Sequence, residues 1–157
     1  MMPADLIPLI AQYRAGLEAE LQLLHRLEAV AEKQREASRR GELEALNVVT
    51  DERDTLMASI VTIEHEMKPI RLKLLDRRTD LQGSPEYDEL AALHREAAQL
   101  VSDIVASDQD SLDALKEAEL ARRFAARSIE QGESTLAAYR RVVAPPLAGA
   151  TLVNRKG

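Results

Sequence analysis

The chain has 157 residues, of which 45% are apolar, 31% charged and only 3% aromatic, with no Trp, no Cys and a single Phe. Without Cys there is neither a disulfide framework nor a thiolate metal site. Charges recur too often to leave the run of about 18 apolar residues that a membrane span needs, and a net charge of -6 with a pI near 5.2 argues against nucleic acid as the main partner. What remains is a Leu, Ala, Glu and Arg composition suited to long helices that bury narrow apolar seams and expose wide charged faces. The expectation is an all-α protein, an antiparallel coiled-coil helical bundle. The N-terminus Met-Met-Pro-Ala-Asp has no basic stretch followed by an apolar one, so a cytoplasmic location without membrane insertion is expected.

Taken in chain order, Ile10, Tyr13, Leu17, Leu24, Leu27 and Ala31 recur at three, four and seven, the signature of an a/d seam. The first helix is predicted over 6–40. Asp5 is placed to cap it and Pro8 falls in its first turn, where a missing N–H costs nothing. Arg39 and Arg40 suit the negative end of the helix dipole, and Gly41 can take the left-handed position that ends it. The second seam, Leu46, Val49, Arg53, Leu56, Ile60, Ile63, Met67, Ile70, Leu74, Arg77 and Leu81, predicts a helix over 42–81. Pro69 breaks the backbone ladder while the apolar register runs through it, which predicts a kink and not a second loop.

Gly83, Ser84 and Pro85 supply a C-cap, an N-cap and a first helical residue in succession, the clearest boundary in the chain. The third helix is predicted over 85–143 with a seam that opens as Leu90, Leu93, Ala97, Leu100 and Ile104. It resumes as Leu115, Ala118, Arg122, Ala125, Ile129, Gly132, Leu136, Tyr139 and Val143. The step from Ile104 to Leu115 is a heptad plus four, a stutter filled by polar residues. Residues 107–111 are therefore the expected weak point of one very long helix, with a kink or a break into two helices as the alternative. Ala144-Pro145-Pro146 is expected to stop the helix, leaving 144–157 as a flexible tail outside a single domain over 1–143.

Charge is unevenly spread. Residues 84–121 hold ten acids against Arg95 and Lys116, whereas from 122 onward seven basic residues face only Glu130 and Glu133. Catalytic signatures are missing: His25, His65 and His94 lie on separate helices, none preceded three residues earlier by Glu or Asp, and there is no Gly-rich phosphate loop. No enzyme activity, catalytic residue, metal ligand or cofactor is expected.

The N-terminal amphipathic helix, followed by Gly41-Glu42-Leu43-Glu44-Ala45-Leu46 and then Asp51-Glu52-Arg53 with Leu56 and Ile60, resembles the FlgN family of flagellar export chaperones. The resemblance covers the pattern of most of residues 5–143. It implies a cytosolic, ATP-independent chaperone that binds a terminal helical segment of hook-filament junction (hook-associated) proteins. Such a protein prevents premature assembly and delivers its substrate to the type III export gate of the bacterial flagellum. It also implies a substrate grip in the C-terminal helical region and export-gate docking through a Tyr near the chain's end, for which Tyr139 is the candidate.

The residues carry a mechanism of their own. Leu115, Ala118, Ala125, Ile129, Leu136, Tyr139 and Val143 form a shallow seam against which an amphipathic segment can complete a bundle. An open apolar seam drives association, so a homodimer is the expected resting state. The competing reading is a structural coiled-coil oligomerisation or adaptor protein, and a membrane-surface role for 122–141 is disfavoured by the lack of Trp.

Overall fold

A computed structural model describes the backbone of residues 2–156 and the side chains of residues 2–141. It is helical throughout, with no strand among the described residues: α1 spans Ile7–Arg40, α2 Leu43–Asp76, the single turn α3 Arg78–Leu81, and α4 Pro85–Lys156. The chain divides into two compact units, Met1–Leu115 and Lys116–Gly157. The first contains α1, α2, α3 and the opening stretch of α4. The second is the remainder of α4.

The local signals at the helix ends act as the residues demand. Gly41 takes φ 67°, and its N–H and that of Glu42 both return to the Ala37 carbonyl, closing α1 with a left-handed cap. Gly83 takes φ 80°, and the Ser84 hydroxyl accepts the Tyr87 N–H at 3.2 Å, which caps α4 just before Pro85. Asp5, by contrast, is not a cap. The residue before α1 is Leu6, which makes no side-chain cap, and Asp5 instead accepts a hydrogen bond from Arg77 at 2.8 Å. An ion pair to a cation at the junction of α2 and α3 takes the place of the local cap.

Within the first unit, α1 lies between its neighbours, which explains why its buried stripe is wider than a single seam. All six residues of the predicted α1 seam are buried, and Leu21 and Val30 join them. One layer of core packs Leu6, Ile10, Tyr13 and Leu17 against Met67, Leu74, Leu81 and Leu90. The other packs Leu21, Leu24, Leu27, Val30 and Ala31 against Val49, Leu56, Leu100 and Ile104. The start of α1 meets the end of α2, so the two run antiparallel, whereas pairs such as Arg14 with Glu89 and Arg35 with Asp110 rise together and make α4 parallel to α1. Burying each of these aliphatic side chains contributes roughly 1.5–3 kcal/mol. Gly16 lets α2 approach: a Cβ there would sit 2.6 Å from the Met67 Sδ.

Two boundaries differ from the sequence reading. The helix predicted over 42–81 is interrupted at Arg77, whose φ of -107° and ψ of 20° leave the helical basin. The interruption buries Leu81 while the Arg77 guanidinium binds both Asp5 and Asp80. Pro69 lies inside α2 without ending it.

At 107–111, the expected weak point, α4 continues unbroken as one very long helix. Ser111 is buried and its hydroxyl donates to the Ser107 carbonyl, while Asp108 accepts two hydrogen bonds from Arg53 at 2.6 and 2.7 Å. The face through Ile104, Ser107, Ser111, Ala114 and Ala118 keeps the three-four spacing with small side chains. The apparent stutter is a polar layer of the same seam. The second difference is the end of α4: the helix predicted to stop at Ala144-Pro145-Pro146 continues in its backbone to Lys156, and the side chains of the tail predicted over 144–157 lie outside the described residues.

Candidate protein-binding surfaces

The residues singled out from the sequence divide between the two units. Leu115 closes the first, where it is partly exposed and lines a small cavity of about 250 Å³ beside Arg53, Asp108 and Ser111. Ala118 is half-buried, and Ala125, Ile129, Leu136 and Tyr139 are exposed, Ile129 at 64% and Tyr139 at 63%. Val143 lies outside the residues described with side chains. On a helix these positions share one face, so the structure brings them together as a stripe along α4. Tyr139 has no packing role among the described residues of its unit.

The sequence reading overlooked Leu120 and Phe124, exposed on the opposite face of α4, with the Arg127 guanidinium 6.0 Å from the Phe124 ring centroid. They fall outside the seam's register, but their bulk amid Ala and Arg was a usable signal. Around them, Glu119 pairs only with Arg122 and Arg123 of its own helix. Such exposed neighbours contribute a few tenths of a kcal/mol each, about 0.3–0.5.

The first unit holds a polar network that periodicity could not announce. Arg71 of α2 grips both oxygens of Glu64 at 2.9 and 2.7 Å and donates from Nε to the Tyr13 oxygen at 3.0 Å. With that oxygen already accepting, the Tyr13 hydroxyl proton is free for His94 Nε2, 3.1 Å away on α4. Burial lowers the pKa of His94 and the Arg71 charge lowers it further, against the pull of Glu64.

Glu20 of α1, only 6% exposed, lies beside this network, its Oε1 buried without a hydrogen-bond partner among the described residues. Burial first, then a hydrogen bond to Glu64 and that group's charge, push its carboxyl up to about 7, with Arg71 opposing. Burial alone would raise Glu64 as well, but hydrogen bonds from Glu20 and Arg71 outweigh it and hold that carboxylate below its ordinary range. The two carboxyls are thus pushed apart, Glu20 upward mainly by burial and Glu64 downward by its partners.

Beside this network lies an open groove of about 950 Å³ between the end of α2 with α3 and the start of α4. Leu74, Leu81 and Leu90 form its floor, Leu75, Tyr87 and Ala91 its walls, and Arg71, Arg78 and Arg95 its rim. No carboxylate belongs to its lining. Among the described residues there is no group of three or more side chains placed to hold a metal ion, and no helix is long and apolar enough to cross a membrane.

Comparison with protein-family models, with curated proteins and with solved structures returns no match for this chain.

Proposed function

We propose that this protein is a helical export chaperone of the FlgN type, acting in the cytoplasm on hook-filament junction proteins. The observation that carries the reading is the stripe of Ala125, Ile129, Leu136 and Tyr139 along the second unit, exposed at heptad spacing. Large side chains at such spacing are normally covered, so they mark a surface completed by a partner. An amphipathic terminal segment of the substrate lays its apolar face on this stripe. Ala125 and Gly132 allow its backbone to come close, and the surrounding arginines steer its acids.

In the absence of substrate the same stripe pairs two copies of the chain, so substrate capture and dimer dissociation compete. Tyr139, solvent-exposed and flanked by Arg140 and Arg141, is then available to the export gate. The Ala and Gly positions favour an interface that exchanges, which distinguishes a chaperone from a permanent coiled coil with large residues throughout.

The test is a pull-down from the lysate of a flagellated bacterium, using the full chain and an Ile129→Glu, Leu136→Glu variant. Junction proteins captured by the first and lost by the second support the proposal. Capture of nothing but further copies of the chain replaces it with the structural coiled-coil reading.

A further inference from the structure

Both outer helices of the first unit carry a second seam. In α4 the core-facing residues Leu90, Leu93, Ala97, Leu100 and Ile104 are each followed by a member of another set: Ala91, His94, Ala98, Val101 and Val105. In α2 the core positions Leu56, Ile60, Ile63, Met67, Ile70 and Leu74 are likewise each followed by one of Met57, Val61, Glu64, Lys68, Arg71 and Leu75. An offset of one residue turns a seam by about 100° around its helix. Because α2 and α4 run antiparallel, equal offsets swing the two second seams toward each other. The groove shows that they converge, since Arg71 and Leu75 line one wall and Ala91 and His94 the other.

Three packed helices with a vacant groove of this kind along two of them are three quarters of a four-helix bundle. Beyond the groove's own lining, Val61, Val101 and Val105 continue the two second seams and are exposed, Val61 at 62%. We propose that the first unit binds a fourth helix here, an amphipathic and acidic segment of another protein. Charge decides the occupant. Arg71 and Glu64, both on the second seam of α2, hold each other, but neither Arg78 nor Arg95 has a carboxylate within 4.0 Å among the described residues, and no other acid lies on either seam or in the groove's lining. The chain's own stretch from 122 onward, with seven basic residues against two acidic, is the wrong sign to fill it. The second seam of α4 from Ala91 to Val105 matches an occupant of about four turns. The site lies wholly within the first unit and is independent of the stripe on the second.

The experiment uses the full chain and a fluorescein-labelled, designed 18-residue helix with Leu along its seam and Glu on both flanks. A twin with Lys in place of every Glu serves as the control. Fluorescence anisotropy is expected to show the acidic helix binding roughly tenfold or more tighter than the basic one. Arg78→Glu with Arg95→Glu reverses that order, and Val61→Glu weakens the acidic helix by roughly tenfold. Ile129→Glu with Leu136→Glu leaves it unchanged, which keeps this site apart from the one proposed for the chaperone substrate. Equal binding of the twins, or binding of neither, overturns the proposal. So does a dimer, seen by sedimentation, that Val61→Glu dissolves, because the groove would then belong to a second copy.

Discussion

The two units of this chain use one helical vocabulary for opposite ends. In the first, Leu24, Leu56 and Leu100 are buried together, and cations such as Arg53 and Arg71 find carboxylates across helices or within a shared network. In the second, Ile129, Leu136 and Tyr139 hold equivalent positions of the repeat and are exposed, and the ion pairs of Glu119 join residues of a single helix. Heptad spacing alone therefore does not make a core. A seam becomes one only where a second seam lies against it, and where none does, residues of the same spacing stay exposed.

The comparison breaks most severely if core truncations behave alike in both units. Leu24→Ala is expected to cost about 2–5 kcal/mol in a urea titration, because the packed surroundings cannot collapse onto the void. Leu136→Ala should stay within about 0.5 kcal/mol, the range for exposed positions. An equal loss would mean that the second unit is covered by packing of its own.

Removing one partner of an ion pair probes the same contrast more finely. Asp108→Ala leaves the Arg53 guanidinium, which is 21% exposed, without its carboxylate and with only Gln34 as an acceptor among the described residues, and is expected to cost about 1–3 kcal/mol. Glu119→Ala should change thermal stability by less than about 0.5 kcal/mol.

Glu20 adds a dependence on pH. Its folded pKa of about 7 lies above the value of roughly 4.3 for a free carboxyl. The stability tied to its protonated form is therefore complete below the unfolded value and is lost as pH rises through 7. Glu20→Gln keeps a donor toward Glu64 without the charge. The variant should match the parent near pH 4.5 and exceed it at pH 8.5 by about 1–3 kcal/mol in chemical denaturation. A constant difference across that range would mean that Glu20 does not titrate there.

The smallest effect carries a change of sign. Gly16→Ala places a Cβ 2.6 Å from Met67 Sδ and 2.8 Å from its Cγ, and the resulting overpacking is expected to outweigh the helix-propensity gain for a net loss of about 1 kcal/mol. Gly132→Ala meets nothing within 4 Å and should raise helix stability by about 1 kcal/mol, visible in circular dichroism. Two losses, or two gains, would contradict the difference in packing.

The fold was legible from a few strong local signals. Gly41 and Gly83 sit where only a left-handed residue serves, Ser84 and Pro85 start a helix, and the seams through Leu56 and Leu100 name their own buried faces. The errors arose where side chains from distant parts of the chain met. Asp5 is taken up by Arg77 across 72 residues instead of capping its helix. The Ser107 and Ser111 layer, which reads as a gap, is part of the packed face because Arg53 neutralises Asp108 between them. The candidate stripe on the second unit was legible as a pattern, but its exposure was not, because covered and uncovered seams have the same spelling.

The amino-acid sequence by itself determined the helices, their capped boundaries and the register of each seam, since those depend on backbone geometry and on neighbours within a turn or two. Tertiary structure alone decided that Glu64, Arg71, Tyr13 and His94 share one hydrogen-bonded network beside the buried Glu20, and that Arg71, Leu75, Ala91 and His94 line a single groove. Both results depend on which faces of separate helices are turned toward one another, a relation that no local spacing encodes.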